Sequence, residues 1–400
     1  MKELIIAFIF TISTAIAQDD FIPRKPSVIP SRPAKNTMIF WVNGDADRFR
    51  NEEGSGSKIV RLDVLDVDRI KQLSQKCNCN IVLFHDQRGT NRWFNRSKHF
   101  STFLYSYSKG KPVKFGNKNY LQFNEVDQSK RSFLATLLKF SQDLFPGTSY
   151  HLIYRGHSFA TDLTHPESVS FDRSSSGSYH IKDFIASIKE SKVRLSTVTF
   201  AACSMAYVEM ALALTPFANY MIASQINIHE TGITGFSFEY LTKLNDQMSE
   251  EAIAHVLAKT MLERFRTVKE KELFLRETPA VMIDLNKISV LKDDISFARI
   301  YAVEAVKNSR EDFAPELITA KTSERYMNLR KSEGISDIVL NVLKDKMQSA
   351  DDNTTSYDFI EVLQKLGWDD LAENLKGSVV LYDYSDFTHK SGISFDIGFN

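Results

Sequence analysis

The sequence predicts a three-layer α/β/α fold: a mainly parallel sheet with helices on both faces, then a mostly helical C-terminal region that ends in strands. Between residues 38 and 214, apolar runs of strand length alternate with segments of helical periodicity, the pattern of strands joined by helical crossovers. Beyond residue 245 the helical pattern continues to about residue 375, broken once by a strand-like run at 280–283. Apolar runs at 379–382 and 393–397 read as closing strands. No internal repeat is present.

The elements follow in order. Residues 38–42 are an apolar run stopped at Asn43-Gly44, a strand and its turn. Leu62, Leu65, Ile70 and Leu73 keep a helical spacing, and residues 80–84 form a second strand ending at His85-Asp86. Residues 100–107 are rich in aromatic side chains and read as an edge strand or hairpin. Phe133, Leu134, Leu137, Leu138 and Leu144 line a helix closed by Pro146-Gly147. Residues 150–154 are the third strand. Pro166, a run of serines and Gly177 mark 161–178 as loop. Ile181, Phe184, Ile185 and Ile188 stand at i, i+3, i+4 and i+7, an amphipathic helix. Residues 193–200 are the fourth strand, and a helix is expected from Ser204 to Leu214.

The N-terminal residues read differently. Lys2, an apolar run over 4–14 and Ala15-Ile16-Ala17 have the order of a secretory signal with a small-x-small cleavage site, so 1–17 is expected to be removed. That run is too short to span a bilayer, and no stable membrane anchor is expected once it is gone. Residues 18–37 contain Pro23, Pro26, Pro30 and Pro33 and read as an extended spacer or pro-segment, with order beginning at Met38. In the 400-residue chain Lys plus Arg and Asp plus Glu both number 50, so no net field draws nucleic acid, and no such partner is expected. Cys77, Cys79 and Cys203 are the three cysteines, which excludes a disulfide scaffold. Cys77 and Cys79 either pair or share a loop, and neither belongs to a second ligand pair of the kind a zinc site needs.

Two strands end in reactive residues. Residues 150–154 run into Arg155-Gly156-His157-Ser158, and 193–200 run into Ala201-Ala202-Cys203. The helix between them makes a strand–helix–strand crossover, which sets the strands parallel and their carboxyl ends on one rim of the sheet. Ligands of open α/β sheets bind beyond that rim. There His157 can take the thiol proton of Cys203 and return one to a leaving amine. A helix starting at Ser204 would favour the thiolate by its dipole, and the backbone N–H groups of Ser158 and Cys203 could hold an oxyanion. Taken alone, a Cys after an apolar strand is the pattern of an inert core thiol, and a His at a strand end is commonly structural. Their shared rim is what points to chemistry. Gly156-His157-Ser158-Phe159-Ala160 offers a rival, a Gly-x-Ser-x-Gly-like elbow with Ser158 as nucleophile, but the loop-like residues after it lack the helix such an elbow requires.

These segments resemble the clostripain family of cysteine peptidases, whose fold is related to that of caspases, gingipain and legumain. Tyr150-His-Leu-Ile-Tyr-Arg-Gly-His157-Ser158 is similar to the family's Tyr-Ala-Leu-Ile-Leu-Trp-Asp-His-Gly, and Phe200-Ala-Ala-Cys203-Ser-Met-Ala206 to its Phe-Asp-Ala-Cys-Leu-Met-Ala. Tyr220-Met-Ile-Ala-Ser-Gln225 resembles Tyr-Leu-Val-Ala-Ser-Glu, and the likeness runs in order from about Met38 to Asn400. It implies a caspase-like catalytic core over 38–244, a helical C-terminal region over 245–400 packed on it, and peptide or protein substrates. His157 and Cys203 fall on the catalytic positions; Ala201, Ser224, Gln225 and Glu230 fall in the substrate-binding region. Some relatives use calcium, but a Cys–His mechanism requires no cofactor, no metal-ligand spacing stands out, and Asp45 and Asp47 read as a solvated loop. The chain departs from the pattern at Ala201, where relatives carry an acidic residue, at Gln225 and at Ser158. The arginine preference that the acidic residue implies is therefore not carried over, and Glu230 and Asp162 are the candidates to replace it. A caspase-like fold kept as a non-catalytic binding or regulatory module is the alternative these departures motivate. Kinship also implies self-cleavage between His157 and Cys203, where Lys182, Lys189, Lys192 and Arg194 offer basic sites.

Overall fold

A computed structural model describes residues 21–30, 33–44, 50–51, 59–60, 62–87, 101–124, 126–156, 158, 168–172, 177–202, 205–224, 241–266, 280–308, 356–382 and 393–396. The strands are β1 (Asn36–Asn43), β2 (Arg50–Asn51), β3 (Ile59–Val60), β4 (Asn80–Gln87), β5 (Ser101–Ser108), β6 (Lys111–Pro112), β7 (Tyr120–Phe123) and β8 (Ser149–Arg155). They continue as β9 (Ser168–Asp172), β10 (Gly177–His180), β11 (Leu195–Ala201), β12 (Ala218–Ala223), β13 (Ala280–Asp284), β14 (Ser356–Asp358), β15 (Val379–Tyr382) and β16 (Ser394–Asp396). The helices are α1 (Leu62–Cys77), α2 (Arg131–Leu144), α3 (Ile181–Ser191), α4 (Val208–Leu214) and α5 (Glu250–Arg266), then α6 (Leu285–Val290), α7 (Lys292–Asn308), α8 (Phe359–Lys365) and α9 (Asp369–Lys376).

Among the described residues, ten strands form one sheet in the order β15-β13-β12-β11-β8-β1-β4-β5-β6, with β7 also on β5. The five central strands, β12, β11, β8, β1 and β4, are parallel, and the strands added at both edges are antiparallel. β13 and β15, from beyond residue 245, extend this same sheet, whereas β16 pairs with β14 in a ladder of its own.

Alternation along the strands builds the two outer layers. On β1, Ile39 and Trp41 face a core completed by α2, α3, α4 and α6 to α9, while Met38, Phe40 and Val42 face a core completed by α1 and α5. Because both faces are covered, the central strands read as continuous apolar runs, as buried parallel strands do. α2 forms because Phe133, Leu134, Leu137, Leu138 and Leu144 fall on one buried stripe. α3 stops where Lys192 takes the left-handed conformation, with φ at 57°.

Two readings change, and one open choice is decided. Phe21 is buried with only 8% of its surface exposed, and its ring lies 5.3 Å from those of Phe84 and Phe133, so order begins well before Met38. The expected loop over 161–178 contains β9 and the start of β10, an antiparallel pair that buries Val169 and Tyr179. Cys77 is the last residue of α1 and Cys79 lies in the short connection to β4; both are free, buried thiols, so of the two alternatives the shared loop holds and the pairing does not.

α4 is tied to the C-terminal region by Glu209, whose carboxylate accepts from the guanidinium of Arg299 on α7; the two side chains are 7% and 20% exposed. Removing one partner of a mostly buried pair strands the other. Arg299→Met is expected to lower unfolding free energy by about 2 kcal/mol in urea titrations, a cost between that of surface and buried pairs.

Candidate active site

β8 and β11 are neighbours in the sheet and run parallel, joined by the crossover through α3. Their last residues, Arg155 and Ala201, are register partners, and the N–H of Gly156 lies 3.5 Å from the carbonyl of Ala201. The carboxyl ends of both strands therefore open on one rim. His157 and Cys203, which follow these ends, lie outside the described residues, as do Gln225, Glu230, Asp162 and Asp45-Asp47. The described residues around them are Gly156 and Ser158 on one side, and Ala202 and Met205 on the other.

Gly156 is required by its surroundings. A Cβ there would come within 2.8 Å of Cζ of Tyr154 and 3.2 Å of Cβ of Asn43. The Tyr154 ring is fully buried against Trp41, centroid to centroid 4.6 Å, so it has little freedom to retreat. Glycine is thus set by close approach, not by an unusual φ.

The expected helix start at Ser204 is corrected. α4 begins at Val208, because the N–H groups of Met205 and Ala206 both donate to the carbonyl of Ser224, at 2.9 and 3.0 Å. Those amides brace the segment after Ala202 against the end of β12. They are not the open first turn of a helix, and the dipole argument for a thiolate at Cys203 does not hold.

The remaining candidates are placed as follows. Ser158 is buried, 6% exposed. Ala201 is buried in the apolar cluster that holds Ile153 and Ile222. Ser224 is fully buried, with its carbonyl taken by the two amides above. Cys77 and Cys79 sit at the opposite end of the sheet; the hydrogen bond with Cys77 and burial push the Cys79 thiol up, which suits a core thiol rather than a nucleophile. Among the described residues no group of His, Cys, Asp and Glu is arranged to hold a metal ion. No helix among them is long and apolar enough to cross a membrane.

Sequence reasoning missed two features of this rim. Arg155, the last residue of β8, is fully buried. Asp86, at the end of β4, accepts from the Thr102 hydroxyl at 3.0 Å and from Gln128, whose carbonyl oxygen accepts from the Trp41 indole. All four residues are buried. The only sequence signal was position: Arg155 and Asp86 each stand just past a predicted strand.

Comparison with known proteins bears on this architecture. Residues 61–398 match the model of the clostripain family. No curated protein matches the sequence. Among solved structures, a secreted C11 cysteine protease from Bacteroides thetaiotaomicron, iotapain, superposes with a TM-score of 0.53 at 12% identity, over 91% of this chain and 94% of that one. A secreted C11 cysteine protease from the same organism, in complex with an irreversible peptide inhibitor, gives 0.57 at 12% identity, over 91% and 92%. An inactive zymogen C11 protease from Parabacteroides distasonis gives 0.52 at 15% identity, over 92% and 93%. At such identities these structures speak to the fold, which is the caspase-like one. The family's model, in contrast, is matched by the sequence itself across well over half its length, and the chain belongs to the clostripain family of cysteine peptidases.

Proposed function

We propose that this chain is an exported cysteine endopeptidase in which Cys203 is the nucleophile and His157 the general base. The observation that carries the reading is the pairing of Arg155 with Ala201 at the carboxyl ends of adjacent parallel strands. Neighbouring strands are about 4.8 Å apart and consecutive Cα atoms about 3.8 Å, a spacing that would allow side chains just past Gly156 and Ala202 to meet. The imidazole takes the thiol proton as the sulfur attacks the scissile carbonyl. It returns that proton to the leaving amine, and water then hydrolyses the acyl-enzyme. The N–H groups of Ser158 and Cys203 are the proposed oxyanion donors.

Family membership supports peptide or protein substrates. Ala201 offers no carboxylate, and its burial among Ile153 and Ile222 supports a site that does not select arginine through an ion pair there. Ser224, Gln225 and Glu230 remain the proposed neighbours of the substrate. Residues 1–17 supply the proposed export signal, ending in the periplasm or outside the cell; two of the structural neighbours are secreted proteases.

Profiling the mature protein on a peptide library beside Cys203→Ala tests the reading. Turnover and labelling by a thiol-directed probe are both expected to vanish in the variant while the melting temperature is kept. Equal turnover in Cys203→Ala would remove the proposal, and no turnover by either form would favour the non-catalytic module. Because Ser158 is buried, Ser158→Ala is expected to keep activity within about tenfold, since only its backbone is assigned a role. Loss of fluorophosphonate labelling together with activity in that variant would point to the serine hydrolase instead.

A further inference from the structure

The segment before β1 is held at three separate points. Phe21 inserts among Phe84, Phe123 and Phe133, with centroids 5.3 to 5.4 Å away. Ser27 donates its N–H to the carbonyl of Lys114 at 3.1 Å and accepts the N–H of Gly116 on its hydroxyl at 2.9 Å. Ala34 exchanges two hydrogen bonds with the Asn80 side chain, both 3.1 Å. Between these points the segment does not lie flush. A pocket of about 430 Å³ is lined by Phe21, Pro23 and Pro26 of the segment and by Phe140 and Leu144 of α2. The anchors are therefore discrete, and Phe21 is the one that enters the core.

From Phe21 the rings continue without a gap. Phe133 is 5.3 Å from Trp41, Trp41 is 4.6 Å from Tyr154, and Tyr154 is the side chain that leaves no room for a Cβ at Gly156. Trp41 is further pinned by its indole hydrogen bond to Gln128. Interiors packed this densely do not absorb a lost ring by uniform small shifts; neighbours tip into the void.

We propose that residues 21–30 are a permanent clamp of the folded enzyme, not a removable pro-segment. In this reading Phe21, acting through Phe133, Trp41 and Tyr154, is a positioning residue for the backbone at Gly156 that leads into His157. The link to catalysis rests on the Cys203–His157 reading; the clamp itself does not.

The test uses the full mature chain with Phe21→Ala and, in case that variant folds poorly, Phe21→Leu, which keeps most of the volume. Hydrogen exchange over residues 150–156 and the pH profile of iodoacetamide alkylation of Cys203 are followed well below the melting temperature. Phe21→Ala is expected to raise exchange at Tyr154 to Gly156 by about tenfold and to move the alkylation midpoint upward, with Phe21→Leu close to wild type in both. A simple brace predicts a lower melting temperature with unchanged exchange at these residues, and that result overturns the proposal. Raised exchange beside an alkylation profile that matches free cysteine even in wild type upholds the clamp and removes the dyad, so the two ideas fail separately.

Discussion

His157→Ala and Cys203→Ala are each expected to lower peptidase turnover by about 10⁴-fold or more, and the double variant to lose no more than the worse single one. The reason is that in the proposed dyad the two groups share one proton. A thiol at its ordinary pKa is only a few per cent thiolate at pH 7, and without the imidazole it has neither an acceptor for its proton nor a donor for the leaving amine. Once either partner is gone the other has nothing left to contribute, so the losses do not add. Steady-state rates on one peptide, measured for wild type, both single variants and the double variant, decide it. Losses that multiply would mean that the residues act independently, and the shared-proton mechanism would fall. Cys77 and Cys79 do not blur the measurement, because both thiols are fully buried in the core.

The parts of this fold that could be read from the sequence are those decided by local pattern. The central strands are buried on both faces, so their apolar runs stand out, and α3 carries its amphipathic stripe openly. The crossover rule then brings the ends of β8 and β11 to one rim; that Arg155 stands opposite Ala201 in register came only from the structure. What stayed hidden depends on distant partners. Ser204-Met205-Ala206 reads as a helix start because each residue suits one, yet the amides of Met205 and Ala206 go to Ser224, eighteen or more positions on. Phe21 sits among prolines and reads as spacer, because the three rings that receive it lie far along the chain. The chain Trp41, Gln128, Asp86 likewise joins residues that no window of sequence contains together. β13 and β15 could be seen as strands, but not as additions to the main sheet, since antiparallel edges leave no crossover signature.

Acid is expected to unfold this protein early, and His151 accounts for a large share of the effect. His151 lies on β8, fully buried, where loss of hydration pulls its pKa from the usual 6.5 to about 4 despite the carboxylate of Glu250. The amide of Asn36 donates to the carbonyls of Asp246 and Met248, so its Oδ1 faces His151 Nε2 at 3.3 Å as an acceptor. Nε2 therefore carries the proton, and Nδ1 accepts from the Thr197 hydroxyl at 3.2 Å. Between pH 6.5 and 4 the unfolded chain binds a proton that the folded one refuses. Stability is thus full above pH 6.5 and falls as the pH drops toward 4, by about 3 kcal/mol from this residue alone. Glu250 acts in the same direction: burial alone would raise its carboxyl, but hydrogen bonds from Ser196, Asn219 and Ser149 hold it below the usual range, and that stabilisation too is lost in acid. Urea unfolding of wild type and His151→Gln at a series of pH values separates the two contributions. Wild type is expected to lose about 3 kcal/mol more than the variant between pH 7 and pH 4, the variant keeping only the slope due to Glu250 and other carboxylates. Parallel curves would show that His151 is protonated in the native state, and that its burial does not set the acid limit of the fold.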